Sequence, residues 1–399
     1  MLKINYYLIF FVLLLSTMVA PAQNIKQIVD DNTKFSFSLY KELAREHPNQ
    51  NILFSPLSIS QAMAITYAGA RNNTETQIAD VLHFTANQKE FHSNFSKLNT
   101  QLINNSDSIN LNIANCIWAQ KGYKFVPEYF KLIENSYKTP INYVNFTKNK
   151  CRIKAVEDIN EWVSKKTDKQ IVKIIEPEAI SKLTRLIIVN AINFYGEWFY
   201  EFNTKNTDTK IFYSTKGEEK TKFMHQSKEF LFYNDDMISA IQLPYKGKKQ
   251  SMIIILPTKE HNINEVEKTF DNYYLTNIIA DMQKARVNLS LPKFNIESSA
   301  ELKKTFQKMG ITDAFSKNAD FTGMTNKNDL KIDKIIHKAK IEVSEKGTKA
   351  SAATAVVMIR KTAYVPRAIF NANHPFIYLI RDNTTGTILF MGKLSTMKQ

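Results

Sequence analysis

Between residue 24 and residue 399 nothing in the sequence marks a place to divide the chain: there is no Gly/Ser tract, no Pro-rich stretch, no repeat and no low-complexity segment. A chain of this length without a linker must close around one large core, so a single domain is expected over residues 23–399. Disulfides cannot be the main source of its stability. Only two cysteines are present, Cys116 in an alternating strand pattern and Cys151 at the opening of a helical one; a single pair is open to them, and the reading preferred is separate thiols. Stability has to come from burial of apolar side chains, and a 44% hydrophobic content supplies them.

The apolar positions recur with two spacings. Phe35, Leu39 and Leu43 share a helical face, as do Ile153, Val156, Ile159, Trp162 and Val163. Alternation puts Ile109, Leu111 and Ile113 on one strand face, Val287, Leu289 and Leu291 on another, and Ile335, His337, Ala339, Ile341 and Val343 on a third. The unbroken runs at 186–189 and 252–256 predict strands buried on both faces, and residues 376–391 predict a hairpin around Asp382 to Gly386. Helices first and long sheets later make this an α+β chain.

Lys3, an apolar run over residues 6–15 and Ala20-Pro21-Ala22 before Gln23 form the pattern of a cleavable signal peptide, expected over residues 1–22. The run is about half the roughly 20 residues a bilayer crossing needs, so a secreted, extracellular protein is expected rather than a membrane-anchored one. Six Asn-x-Ser/Thr sites, at Asn72, Asn94, Asn104, Asn145, Asn288 and Asn383, would allow a glycoprotein in a eukaryotic secretory pathway.

A formal net charge of +15 brings a polyanion partner into consideration. The basic residues are scattered, however, in pairs such as Lys165-Lys166 and Lys303-Lys304, and the stretch around Lys89 and Lys97 has no dense basic face. They read as a solvated surface; a glycosaminoglycan has no further support and no nucleic-acid motif accompanies the charge. Ten glycines, none at phosphate-loop spacing, seven histidines without HExxH, two cysteines without CxxC and no G-x-S-x-G turn disfavour a conventional enzyme. No metal site and no cofactor is expected.

The unusual segment starts at Glu345. It reads Glu345-Lys346-Gly347-Thr348-Lys349-Ala350-Ser351-Ala352-Ala353-Thr354-Ala355, all but its first residues small, then Val356-Val357-Met358-Ile359-Arg360-Lys361-Thr362. As a loop it would be long, and long loops are usually functional or disordered. As a strand it would point Thr348, Ala350, Ala352, Thr354, Val356 and Met358 inward, all small or apolar, while Lys349 and Ser351 met water. The segment therefore suits two states, an exposed loop and an inserted central strand, with Gly347 where the backbone needs freedom.

This hinge resembles that of an inhibitory serpin. Asn51-Ile52-Leu53-Phe54-Ser55-Pro56-Leu57-Ser58-Ile59, Gly69-Ala70-Arg71-Asn72-Asn73-Thr74, Asn190-Ala191-Ile192-Asn193-Phe194-Tyr195-Gly196-Glu197-Trp198, Leu291-Pro292-Lys293-Phe294, His337-Lys338-Ala339 and the stretch from Phe370 to His374-Pro375-Phe376 are similar to serpin signatures, in the family's order. The resemblance implies a serpin fold of three β-sheets with eight to nine helices and an exposed reactive loop over about residues 345–366. It also implies a monomer that forms a covalent one-to-one complex with a serine protease: the protease attacks the reactive residue, and the cut loop inserts as a strand and traps the acyl-enzyme.

Counting as the family does, seventeen residues from Glu345 inclusive, places Lys361 at the reactive position and Thr362 after it, with Arg360 the alternative. Either cation suits a trypsin-like target. By the same resemblance Glu345, Gly347, Thr348, Ala350, Ser351, Ala352, Ala353 and Thr354 form the hinge. Ser55, Ser58, Asn190 and His337 form a cluster controlling strand opening, and Trp198 and Lys293 lie where the loop first enters the sheet, Lys293 pairing with Glu345. The alternative is a non-inhibitory serpin acting as carrier, storage protein or chaperone, whose hinge would carry bulky or charged inward residues.

Overall fold

The computed structural model describes residues 20–102, 109–348 and 367–398. The first half is helical. In α1 (Ala20–Glu46) the stripe of Phe35, Leu39 and Leu43 is buried, as its spacing requires. The helix begins ahead of the expected cleavage point, so Ala22 and Gln23 fall in its first turn. A short β1 (Ile52–Phe54) leads into α2 (Pro56–Tyr67), whose start is fixed by the Ser55 hydroxyl accepting from the Ser58 N–H at 3.2 Å and by Pro56 in the first turn. Then come α3 (Asn72–Leu82), α4 (Gln88–Leu102), β2 (Ile109–Gln120), α5 (Pro127–Tyr137), β3 (Ile141–Val144), α6 (Asn149–Lys166) and β4 (Leu186–Glu197).

The second half is mostly strand. It runs through β5 (Asp208–Ser214), β6 (Gly217–Asn234), β7 (Ile238–Pro244), β8 (Gln250–Pro257), α7 (Ile263–Thr269), α8 (Asn272–Asp281), β9 (Gln283–Pro292), β10 (Phe294–Glu301), α9 (Lys303–Met309), β11 (Ile336–Ser344), β12 (Gly347–Thr348), β13 (Arg367–Asn371), β14 (Phe376–Asp382) and β15 (Ile388–Leu394). Nine α-helices thus stand among the described residues.

One sheet has six strands in the order β10-β11-β12-β4-β2-β3. The other network has nine, β1-β15-β14-β8-β7-β6-β9-β13 with β5 also on β6. The 18-residue β6 joins two blocks here, pairing with β5 and β9 over much of its length and with β7 at its far end. Taken apart, those blocks and the six-stranded sheet are the three sheets that the resemblance implies. β14 and β15 form the hairpin read from the sequence.

The main core lies between α1–α4, the buried strands β8, β14 and β15, and the inner faces of β4, β10 and β11. A second cluster fastens α6 to β2 and β4 through Val156, Ile159 and Val163. Two expectations need correction. Ile153 is 50% exposed, because it lies near the start of α6, ahead of the part that seats on the sheet. Residues 186–188 are only partly buried, unlike the fully buried β8; in β4 the continuous buried stretch runs from 189 to 194. Cys116 is buried in β2 and Cys151 lies in α6; both are free thiols. No described helix is long and apolar enough to cross a membrane.

Candidate functional site

The site is built on the six-stranded sheet, where β12 lies between β4 and β11. β12 is antiparallel to both, with Thr348 opposite Gly196 on one side and Val343 on the other. Among the described residues no ladder joins β4 to β11 directly. Since each is antiparallel to β12, the two run parallel to one another, with a slot between them that β12 occupies at one end.

Three side chains hold β12 in place. Thr348 is 1% exposed, and its hydroxyl lies 2.8 Å from that of Tyr245, which is fully buried. Burial pushes the Tyr245 hydroxyl well above its ordinary pKa, so it stays neutral. Its ring stacks on Trp198 at 4.7 Å between centroids and 7° between planes. The Trp198 indole N–H donates to the Ser344 carbonyl at 2.9 Å and its backbone N–H to the Lys346 carbonyl at 2.8 Å. Gly347 is required by close approach: a Cβ there would sit 2.0 Å from the Gly196 carbonyl oxygen.

The turn before β12 is tied down by charge. Lys293 Nζ, at the junction of β9 and β10, is 2.8 Å from Glu345 Oε2, and the Thr207 hydroxyl donates to Glu345 Oε1 at 2.9 Å. Burial works to raise the Glu345 carboxyl, but the hydrogen bonds from Lys293 and Thr207 outweigh it and leave its pKa below the ordinary carboxylate value.

The second cluster sits further along the slot. Thr348 is level with both Gly196 and Val343, so six residues back along each strand Asn190 on β4 and His337 on β11 are level with one another, about 20 Å away at roughly 3.3 Å per residue. The start of α2 bridges them. The Ser55 N–H donates to His337 Nε2 at 3.1 Å, and the Ser58 hydroxyl donates to Asn190 Oδ1. The Asn190 amide in turn donates to Asn115 Oδ1 on β2 at 2.5 Å. His337 is wholly buried, and desolvation lowers its pKa to about 4, which keeps it neutral and able to accept from Ser55.

The structure thus places Ser55, Ser58, Asn190 and His337 in one cluster and Trp198, Lys293, Glu345, Gly347 and Thr348 in another, at two levels of one slot. Ala350, Ser351, Ala352, Ala353, Thr354, Arg360, Lys361 and Thr362 lie outside the described residues. Sequence reasoning missed Tyr245, Gly196 and Asn115. Gly196 had a signal, standing next to Glu197-Trp198 in the quoted motif; Tyr245 and Asn115 had none. No group of three or more potential metal ligands occurs among the described residues.

Residues 30–397 match the family described as Serpin (serine protease inhibitor). The chain belongs to the serpin family. An uncharacterized serpin-like protein of Thermococcus kodakarensis is 37% identical over 376 residues, covering 94% of this chain and 86% of that protein. The leukocyte elastase inhibitor of Xenopus tropicalis is 36% identical over 377 residues, 91% of this chain and 98% of the inhibitor. Among solved structures, human thyroxine-binding globulin superposes with a TM-score of 0.84 at 28% identity, over 94% of this serpin and all of that chain. The family is one of protease inhibitors, and its relatives include proteins named for inhibition and one named for binding thyroxine.

Proposed function

We propose that this serpin is a secreted, single-use inhibitor of trypsin-like serine proteases, with Lys361 as the residue presented to the protease and Thr362 after it. The observation that carries the reading is β12: a two-residue strand already seated between β4 and β11, with small Thr348 pointing into the sheet. The next residues of its inward set, Ala350, Ala352 and Thr354, are small enough to continue.

The protease serine attacks the Lys361 carbonyl, the Lys361–Thr362 peptide bond breaks, and the new Thr362 amine leaves. The cut releases the hinge to extend β12 down the slot. In the register of β12, Thr354 would arrive level with Asn190 and His337, so the bridge from Ser55 and Ser58 is what the advancing strand must rearrange. About a dozen inserted residues at roughly 3.3 Å each carry the acyl-enzyme on the order of 40 Å from where it formed.

Secretion rests on the signal-peptide pattern of residues 1–22, and the trypsin-like target on the cations at 360 and 361. The likeness to thyroxine-binding globulin favours a carrier as second reading; the small residues at 348, 350 and 352 favour inhibition. The test is to mix the protein with trypsin. An SDS-stable complex and a released C-terminal peptide beginning at Thr362 are expected. A peptide beginning at Lys361 would move the reactive position to Arg360. Complete cleavage without a complex, and without a gain in heat resistance, would leave the carrier reading.

A further inference from the structure

On the side of β13, β9 and β6 that carries the 77% exposed Ile369, polar side chains fall in one row. His225 on β6 is directly opposite Ser290 on β9, and Ser290 is directly opposite Asn371 on β13, so the three share a face on strands about 4.8 Å apart. Asp208, the first residue of β5, ends the row, its Oδ1 2.8 Å from His225 Nε2. All but Asp208 line a groove of about 420 Å³. The Ser290 hydroxyl is buried without a hydrogen-bond partner, and so is the Oε1 of Gln226, which lines the same groove. Buried polar atoms left unpaired are uncommon and call for an explanation.

We propose that this row hydrolyses small carboxylic esters, with Ser290 as nucleophile, His225 as general base, Asn371 as donor to the developing oxyanion and Asp208 as the residue that positions His225. A carboxylate can only accept, so the bond to Asp208 fixes the imidazole proton on Nε2 and leaves Nδ1 to take up another. That bond, helped by Lys210 Nζ 3.5 Å from Asp208 Oδ2, holds the Asp208 carboxyl below its ordinary pKa, so it stays charged. Ser290 does not yet touch the imidazole. Catalytic hydrogen bonds are often open until substrate arrives, and a step between staggered χ1 wells is the motion required.

Ser290 Oγ bonds to the ester carbonyl carbon while its proton passes to His225 Nδ1, and the Asn371 amide donates to the carbonyl oxygen as it becomes negative. The carbon–oxygen bond to the alcohol then breaks, and the alcohol leaves with the proton from His225. Water attacks the acyl-serine with the same imidazole as base; the acid departs and the Ser290 hydroxyl is restored. Gln226 Oε1 offers that water an acceptor. The groove is at the small end of the roughly 300–1,000 Å³ range of ligand pockets, and Ile369 gives a short acyl chain an apolar seat. No sequence motif marks the row, because its members come from four strands. The activity does not use Lys361 and does not rest on the inhibitory reading.

The experiment is steady-state hydrolysis of p-nitrophenyl acetate by the uncleaved protein. Saturable turnover above the buffer rate is expected. Ser290→Ala, which removes a hydroxyl bonded to nothing and so spares the fold, should lower kcat/KM by about 100-fold or more, as should His225→Gln. Asp208→Asn should lower kcat by about tenfold or more with KM unchanged, and Asp208→Glu should restore most of it. Diisopropyl fluorophosphate should add a single phosphoryl group, placed on Ser290 by peptide mass. Absence of turnover by the folded wild type would overturn the proposal. An unchanged rate in Ser290→Ala, His225→Gln or Asp208→Asn would overturn it too, as would a wild type whose Ser290 stays unlabelled.

Discussion

Gly347 lies against Gly196 so closely that a side chain on either would collide with its neighbours: a Cβ on Gly347 would meet the Gly196 carbonyl oxygen at 2.0 Å, and one on Gly196 would meet the Phe194 and Tyr245 rings at 2.8 Å. β12 can sit this close to β4 only because Gly347 lacks a Cβ, while Gly196 must lack one to leave room for the Phe194 and Tyr245 rings. Gly347→Ala should therefore push β12 off β4, at a cost of about 1–3 kcal/mol. A lower unfolding midpoint of the uncleaved protein, followed by circular dichroism, is expected; an unchanged midpoint would mean that β12 is not seated as described.

Thr348→Arg tests the inward direction of the hinge. The side chain would have to place a cation beside the buried Tyr245 hydroxyl. Trypsin should then cleave the variant without being trapped, so that the SDS-stable band disappears while the cleavage product accumulates. Full trapping at one-to-one stoichiometry would refute this register.

The ion pair of Lys293 with Glu345 fixes the turn before β12. Lys293 is 39% exposed, so screening limits the pair to about 1 kcal/mol or less. Lys293→Ala should increase oligomers on native gels after mild heating. In the wild type the same contact depends on a carboxyl whose pKa is lowered, so its contribution is complete above the ordinary carboxylate range and is lost as pH falls through the lower folded value. Oligomers that form equally in variant and wild type at neutral pH would dismiss this role.

His337 gives the fold an acid sensitivity. Its pKa is about 4 in the fold against an ordinary value near 6.5, so between those values the unfolded chain binds the proton and the folded one does not. Its contribution is complete above about pH 6.5 and declines by up to about 3 kcal/mol as pH falls to 4. His337→Gln should flatten the fall in unfolding midpoint between pH 7 and pH 5. Parallel curves for the two proteins would show that His337 is not the sensor.

Lys361→Ala should abolish complexes with trypsin while leaving the rise in heat resistance on loop cleavage by another protease. Complexes that persist with cleavage after Arg360 would assign the reactive position to Arg360.

The pairing of Lys293 with Glu345 and the gathering of Ser55, Ser58, Asn190 and His337 were legible because each lies in a motif of the family. The strands at β9 and β11 were legible because one face of each is buried, and alternation records that directly. Ile153 was misplaced because helical spacing tells which side a residue is on but not where along the helix cover begins. Tyr245 and Asn115 escaped because their roles depend on partners 103 and 75 residues away, and no local pattern carries such a distance.

β12 also bears on timing. Building a new strand is slow chiefly at its first rung, where chain entropy is lost before any bond repays it. That nucleus exists in this protein before any cut, so on the inhibitory reading proposed above insertion starts at propagation, like a zipper whose slider is already engaged. A rival that must win a race against water is helped most by such a head start, and sequence changes at Gly347 or Thr348 should slow the closing far more than equal changes a few rungs on.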